Sequence, residues 1–565
     1  MDVMPQQTMT AVDQVLAYHE ATKHHFNRYA RSPGFLDWAN QPDPFRRYHG
    51  APEILLPLLE RDASPPYDWL FTPSRIDPAP FTIQSVGLLF ECSLAISAWK
   101  EYKGERWALR CNPSSGNLHP TEGYLVAGPV PCLNDVPAVY HYAPDAHALE
   151  VRAEFRIETW RALRADFPVD TMFVGLSSVH WREAWKYGER AYRYCQHDAG
   201  HAMAAIRMAA AMLGWRATYL EALADETVAA LLGLDREADF HDRERESPDM
   251  LIAVYTGDCG PHRTLPLDAV RQIAAGVWRG KANRLSDEHV VWPAIDEVNA
   301  ACRKPDTAEE IPHPPTAPKT PAGHDAGSMS AYRIVQQRRS AVAMDGVTSI
   351  GRAVFYRMLD RVVPTLTAIP WDMLALPVTV HLGLFVHRVD GVPPGLYCLA
   401  RDRSARHALQ SAMKSGFCWQ TPPECPDTLP LYVLEAGRFD RVASAVSCGQ
   451  DIAGDGAFSV GMLAEFEPLI RSRGPWFYRR LFWETGMIGQ VLYLEAEAAG
   501  VRSTGIGCYF DDPAHERFGL EGRRFQSLYH FTVGGPVDDT RLTTLPPYPE
   551  SRRRTIPHFS PVAPR

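Results

Sequence analysis

The stretch Gly188-Glu189-Arg190-Ala191-Tyr192-Arg193-Tyr194 opens a segment, Gly188 to Leu234, that returns later in the chain as Gly474-Pro475-Trp476-Phe477-Tyr478-Arg479-Arg480 and onward to Leu520. Sliding the chain over itself by 286 residues without gaps gives eleven identities in 47 positions, against the about three that average residue usage supplies. They are Gly188/Gly474, Tyr192/Tyr478, Arg193/Arg479, Gly200/Gly486, Ala210/Ala496, Gly214/Gly500, Arg216/Arg502, Thr218/Thr504, Asp225/Asp511, Gly233/Gly519 and Leu234/Leu520. Glycine recurs among them, and glycine marks backbone positions that other residues fill poorly. The chain therefore reads as two copies of one fold.

Within each copy, apolar residues at helical spacing run over Tyr194 to Leu213 and over Phe482 to Ala499, stopping at Gly214 and Gly500 as helix caps. An extended piece follows each (Arg216 to Leu220; Arg502 to Ile506), then a short helix closing at Gly-Leu. Strands are expected at Gly123 to Ala127, Met250 to Tyr255, Val378 to Val386, Leu429 to Leu434 and Ser527 to Val533. Helices and strands mix without regular βαβ alternation, which predicts an α+β architecture.

Six prolines between Pro305 and Pro321, with hardly a large apolar residue, predict an extended tether between the halves. Residues before about Phe81 carry one amphipathic helix, Val12 to Tyr29, and then a Pro-, Trp- and Tyr-rich stretch without periodicity that should wrap a neighbour. The expected division is an extension over 1–80, a first domain over 81–300, a linker over 301–330 and a second domain over 331–565.

The whole chain, 565 residues with 45% apolar residues and a net charge of −9, suits two globular units. Scattered Lys and Arg give no electrostatic footprint for nucleic acid or an anionic membrane. No basic start leads into an apolar run, and no apolar stretch spans a bilayer, so a soluble, cytoplasmic protein is expected. Eleven cysteines without a C-x-x-C pair exclude the usual zinc ribbons and thioredoxin-type redox motifs, and free thiols suit a reducing compartment.

Two loops carry candidate chemistry. Leu109 to Pro120 contains Arg110, Pro113, Ser114, Ser115, Gly116 and Asn117, small polar residues that present hydroxyls and backbone N–H groups to a planar or anionic ligand. Arg338-Arg339-Ser340, just after the tether, offers guanidinium forks and a hydroxyl suited to phosphate. His197 and His201 have metal-compatible spacing but no third ligand nearby, so no metal is expected. Ser447-Cys448-Gly449-Gln450-Asp451 has the look of a nucleophile turn, yet spacing identifies no partner histidine.

Together these pieces resemble the FMN-dependent nitroreductase superfamily, with an Arg-x-Ser phosphate motif and a Pro-Ser flavin loop, and most of all its branch of SagB-type azoline dehydrogenases. Pro113, Ser114, Gly116, Pro120, Glu122 and Tyr124 match that branch's loop. Lys186, Tyr187, Gly188, Arg190, Tyr192, Arg193 and Tyr194 match its helix entry, and Gly200-His201-Ala202 its helix segment. The resemblance implies two tandem nitroreductase-like domains forming an intrachain pseudo-dimer. One FMN site would combine the loop of the first half with Arg338, Arg339, Ser340, Gly505, Ile506, Gly507 and Arg541 of the second. The Gly-rich segment would lie beside the flavin ring, and Arg541 on its phosphate. At the same positions of the first half stand Tyr219-Leu220-Glu221, bulky replacements that favour decay of the second site into core.

Lys186 and Tyr187 match a pair that the branch associates with proton removal, which implies two-electron oxidation or reduction of a small-molecule or peptide substrate. The family's further basic residue after the phosphate motif is replaced here by Val342, leaving Arg110 or Lys186 to stabilise reduced flavin. An NAD(P)H-dependent nitro or quinone reductase, with NADH or NADPH as donor, is the alternative. A degenerate flavin-binding scaffold for a partner enzyme is an alternative of another class. Pairing of pseudo-dimers into a homo-oligomer stays open.

Overall fold

The computed structural model describes residues 9–72, 74–259, 263–308, 329–365, 367–375, 377–549 and 552. Most of the expected tether lies outside the described residues. In chain order, α1 (Ala11–Ala21) precedes β1 (Glu53–Leu55), the hairpin β2 (Ile96–Tyr102) and β3 (Glu105–Arg110), and then β4 (Thr121–Ala127), β5 (Ala138–Ala143), β6 (Ala148–Glu154) and β7 (Thr171–Ser178). There follow α2 (His180–Tyr187), α3 (Ala191–Met212), β8 (Arg216–Tyr219), α4 (Asp225–Leu232) and β9 (Ser247–Tyr255). The second half contains α5 (Ala331–Gln337), β10 (Val380–Val386), β11 (Gly395–Leu399), β12 (Leu431–Ala436), α6 (Asp440–Val446) and β13 (Phe458–Glu465). It continues through α7 (Phe477–Ala498), β14 (Arg502–Ile506), α8 (Asp511–Phe518), β15 (Phe525–Gly534) and β16 (Thr543–Leu545).

The first sheet runs β1-β6-β5-β4-β7-β9-β8 and the second β12-β11-β10-β13-β15-β14. All pairings in both are antiparallel. Apart from the edge strand β1, contributed by the N-terminal extension, the two orders are the same list shifted by one copy. Mixed elements without βαβ crossovers make this an α+β architecture.

Between the sheets lie α3 and α7, each buried along nearly its whole length, which is how a helix behaves when it packs on every side. The largest apolar core is continuous through both halves and includes Met203 and Ile206 from α3 and Trp483 and Met487 from α7. Smaller cores cover the outer face of each sheet.

The identities of the repeat explain this arrangement. A Cβ on Gly200 would fall on the backbone of Trp483, and a Cβ on Gly486 would fall on the backbone of His197, the position 286 residues before Trp483. The two helices cross where both lack side chains. Arg193 of α3 pairs with Asp511 at 3.0 Å, and Arg479 of α7 pairs with Asp225 at 2.7 Å. Each repeated arginine thus reaches the repeated aspartate of the other half, the reciprocity of a two-fold interface built within one chain.

Helix α1 stops at Ala21, short of the expected Tyr29. The reason is tertiary: the His24 backbone N–H donates to Asp511 at 2.9 Å, and Arg190 donates to Thr22 O at 2.5 Å, so the chain turns out of the helix to meet the ion cluster. At the other end of the chain β16 returns to the first half and pairs antiparallel with β2, Thr544 opposite Lys100.

Candidate functional site

Arg110 ends β3 and anchors the loop that follows. It is buried, with Nη1 donating to Thr121 O at 3.3 Å and Nη2 to Pro44 O at 2.6 Å. Asn117 Nδ2 donates to Ala108 O and His119 N to Ser114 Oγ, both at 2.8 Å, so the loop closes on itself. Gly116 has φ of 59°, and a Cβ there would lie 2.5 Å from the Tyr187 hydroxyl and 3.1 Å from Lys186 Nζ. The last turn of α2 therefore presses Lys186 and Tyr187 against the loop, and only glycine leaves them room.

Asp198 of α3 holds the loop from beneath, accepting from Ser115 N and Ser115 Oγ at 3.1 Å each. Burial pushes its carboxyl up to about 7, and burial together with the neighbouring Asp198 pushes Glu183 up as well. A raised carboxyl favours the folded state while protonated. That contribution is complete below about pH 4, where an unfolded aspartate titrates, and is lost as pH rises through about 7. Asp198→Asn should therefore gain stability relative to the parent between pH 5 and 8, by about 1 kcal/mol or more. Urea midpoints of both proteins across that range check it, and a constant difference would refute it.

From the second half, Arg338 follows α5 and donates from Nη2 to Arg110 O at 2.8 Å. Its Nε and Nη1 have no hydrogen-bond partner among the described residues although the side chain is buried. Arg339 donates to Ser97 Oγ at 3.2 Å, and burial followed by the charge of Arg338 brings its guanidinium down to about 10. Ser340 Oγ lies 2.9 Å from the Tyr493 hydroxyl, which also accepts the Gly505 N–H at 3.0 Å. Gly505 and Gly507 are needed for close approach: a Cβ on the first would overlap the Tyr529 hydroxyl, and one on the second would sit 2.5 Å from the Tyr194 ring. The rings that fix these glycines are thus tyrosines of the protein itself.

One cavity of about 730 Å³ gathers these groups. Arg110, Pro113, Ser114, Ser115, Gly116, Asn117 and Tyr187 line it from the first half, and Arg338, Arg339, Ser340, Val342, Gly505, Ile506 and Gly507 from the second. Lys186 stands behind the loop, outside the lining. Arg541 is also outside it: 71% exposed, it folds back on Asp539 through Nε at 2.8 Å and Nη2 at 2.7 Å. Val342 reaches the rim and is 72% exposed. Sequence reasoning missed Lys100, Asp198, Tyr493, Arg502 and Tyr529, which also line the cavity. Lys100 sits on a strand with no motif around it, and only strand pairing with Thr544 turns it toward the site.

His197 and His201 pack against the same wall. His197 Nε2 lies 3.1 Å from Leu528 O with its ring on Tyr529, and His201 Nε2 lies 3.3 Å from the Tyr529 hydroxyl.

The position related by the internal two-fold is occupied differently. Instead of a collapsed core, a second cavity of about 840 Å³ is present, lined by Arg207, Trp215, Arg216, Thr218, Trp371, Asp372, Arg480 and Glu484 among others. Glu484 stands where Asp198 stands in the first copy, but its carboxylate is taken by Thr379 Oγ1 at 2.5 Å and by Arg401. Arg207, at the position of Tyr493, is clamped on Asp372 at 2.7 and 2.9 Å. Bulky residues replaced the glycines of the strand without filling the space beside it.

Residues 106–241 match the model of the nitroreductase family. Among solved structures, a chain from Anabaena variabilis described as a nitroreductase aligns over 93% of this chain and 99% of its own, with 21% identity and a TM-score of 0.63. The likeness in fold therefore extends over both halves. The Escherichia coli microcin synthetase McbBCD complex with truncated pro-MccB17 aligns over 36% of this chain and 78% of its own, at 18% identity and a TM-score of 0.27. A search of curated proteins gave no sequence match. Among the described residues no helix is long and apolar enough to cross a membrane.

Proposed function

We propose that the chain is a covalent pseudo-dimer of two nitroreductase-like domains holding one FMN in the 730 Å³ cavity between them, and that it is an oxidoreductase. The observation that carries this reading is the meeting, on one cavity, of the Pro113–Asn117 loop from one half with Arg338–Ser340 and Gly505–Gly507 from the other. The residues present fit the group. Arg338 is a buried cation whose Nε and Nη1 have no partner among the described residues, and Lys100 and Arg339 add positive charge for a phosphate. FMN, when bound, supplies the two-electron chemistry. The protein's part is to hold the phosphate with Arg338, Arg339 and Ser340, to exclude water with the tyrosine wall, and to manage a proton at Tyr187, which lines the cavity with Lys186 behind it. Burial pushes the Tyr187 phenol well up, so it keeps its proton and acts as a donor while Lys186 Nζ stands beside it.

The Lys186-Tyr187 pair favours a dehydrogenase of a small-molecule or peptide substrate, of the SagB type, over nitro or quinone reduction. Purified protein should carry flavin at one per chain, and Lys186→Ala should keep the flavin while losing dehydrogenation by at least about 100-fold, the scale of general acid–base catalysis. Two flavins per chain would overturn the single site. Colourless protein that takes up no FMN would overturn the flavin reading.

A further inference from the structure

The turn Ser447-Cys448-Gly449-Gln450 after α6 does have a partner, a second cysteine supplied by tertiary structure. Cys448 Sγ lies 2.6 Å from Cys508 Sγ, and Cys508 immediately follows Gly507 on the wall of the main cavity. Gln450 ties the two segments together, its Nε2 donating to Ser447 O at 2.8 Å and to Cys508 O at 2.9 Å. His24 stands close enough to the Cys508 sulfur to lower it. Because His24 Nδ1 accepts the Ala30 N–H at 2.9 Å, the proton of the neutral ring sits on Nε2.

We propose that Cys448 and Cys508 form a thiol–disulfide redox site whose substrates are low-molecular-weight disulfides and thiols entering by the main cavity. Two thiols in contact, one facing a void with a histidine and Arg190 nearby, are the parts such chemistry needs. The first step is attack of the Cys508 thiolate on one sulfur of the small disulfide, which expels one thiolate and leaves a mixed disulfide on Cys508. Cys448 then loses its proton to the departing thiolate and attacks Cys508 Sγ, expelling the second small thiolate, which takes up from solvent the proton that Cys508 released on ionising. The net exchange is protein dithiol plus small disulfide giving protein disulfide plus two small thiols.

Charge around the pair assigns the roles. The Cys448 S–H, His24 and Arg190 lower Cys508, while Cys448 is pushed up by the same contact, by burial and by Asp511. Tyr29, Tyr187 and Tyr194 face Cys508 as neutral phenols, each raised from its ordinary value, the buried Tyr187 and Tyr194 mainly by burial. Cys508 is thus the attacking sulfur and Cys448 the resolving one. The site does not depend on bound flavin.

The test uses the full-length chain, reduced, freed of reductant and treated with oxidised glutathione. Expected is loss of two thiols and a cross-linked peptide pair containing Cys448 and Cys508, with Cys448→Ser trapping one glutathione on Cys508. In that variant, iodoacetamide should alkylate Cys508 with a midpoint below that of an ordinary thiol, about pH 8.5, and His24→Ala should raise the midpoint. If Cys448 and Cys508 stay as open to alkylation as the exposed Cys132 and Cys418, with no cross-link, the proposal fails. Equal glutathione adducts on all four cysteines would also overturn it.

Discussion

Asp511→Asn should lower the stability of the whole chain by about 3–5 kcal/mol at pH 7, the scale for breaking one side of a buried ion cluster. Asp511 is completely buried, and its carboxylate faces Arg190 and Arg193 at 3.0 Å each and accepts the His24 N–H. With the carboxylate gone, two guanidinium groups remain buried in the interface without their counter-charge. Burial alone would raise the Asp511 carboxyl, but Arg190 and Arg193 hold it well below the usual range. A depressed carboxyl stabilises the fold above the unfolded value of about 3.9 and loses that effect as pH falls through its folded value. The gap between variant and parent should therefore be flat from pH 5 to 8 and shrink only below about pH 4. Denaturant unfolding at several pH values checks it, and a gap under about 1 kcal/mol at pH 7 would show that the cluster is dispensable. Because Arg190 Nη2 also donates to Gly507 O at 3.2 Å, the same variant should disturb the cavity wall.

Gly486→Leu should be the more severe change, removing more than about 3 kcal/mol, the upper end of overpacking costs. A side chain at this position meets the backbone of α3 itself: its Cβ would lie 2.8 Å from His201 N and 2.9 Å from Gly200 Cα. Flexible side chains can move aside, whereas a helix backbone at a crossing cannot without separating the two helices. That separation would open the continuous core between the halves. Gly416→Ala, where an added Cβ meets nothing within 4 Å, serves as the neutral control. Soluble protein with an unchanged urea midpoint for Gly486→Leu would contradict the close crossing.

Much of the site could be read from sequence because its parts are local. The Pro113–Asn117 loop needs small polar residues in succession, and Arg338–Ser340 is three residues in a row. Arg541 shows the limit of that reading. A basic residue near the end of a strand says nothing about whether its charge is already claimed, and here Asp539, two residues away, claims it. Lys100 and Asp198 were invisible for the opposite reason, since each reaches the cavity through strand pairing or helix packing and has no motif around it.

By itself the sequence determined that glycines, arginines and aspartates recur at one constant offset, which reads as two copies of one unit. It could not say why they recur. A linear pattern records which residues are constrained, and a reciprocal contact such as Arg193 with Asp511 and Arg479 with Asp225 exists only when α3 and α7 are laid across each other. Tertiary structure alone decided that a second cavity persists, because its volume depends on how far apart packed backbones stand and not only on side-chain bulk. It also decided that Cys448 has a neighbour, bringing together His24, Cys448 and Cys508 from three distant parts of the chain.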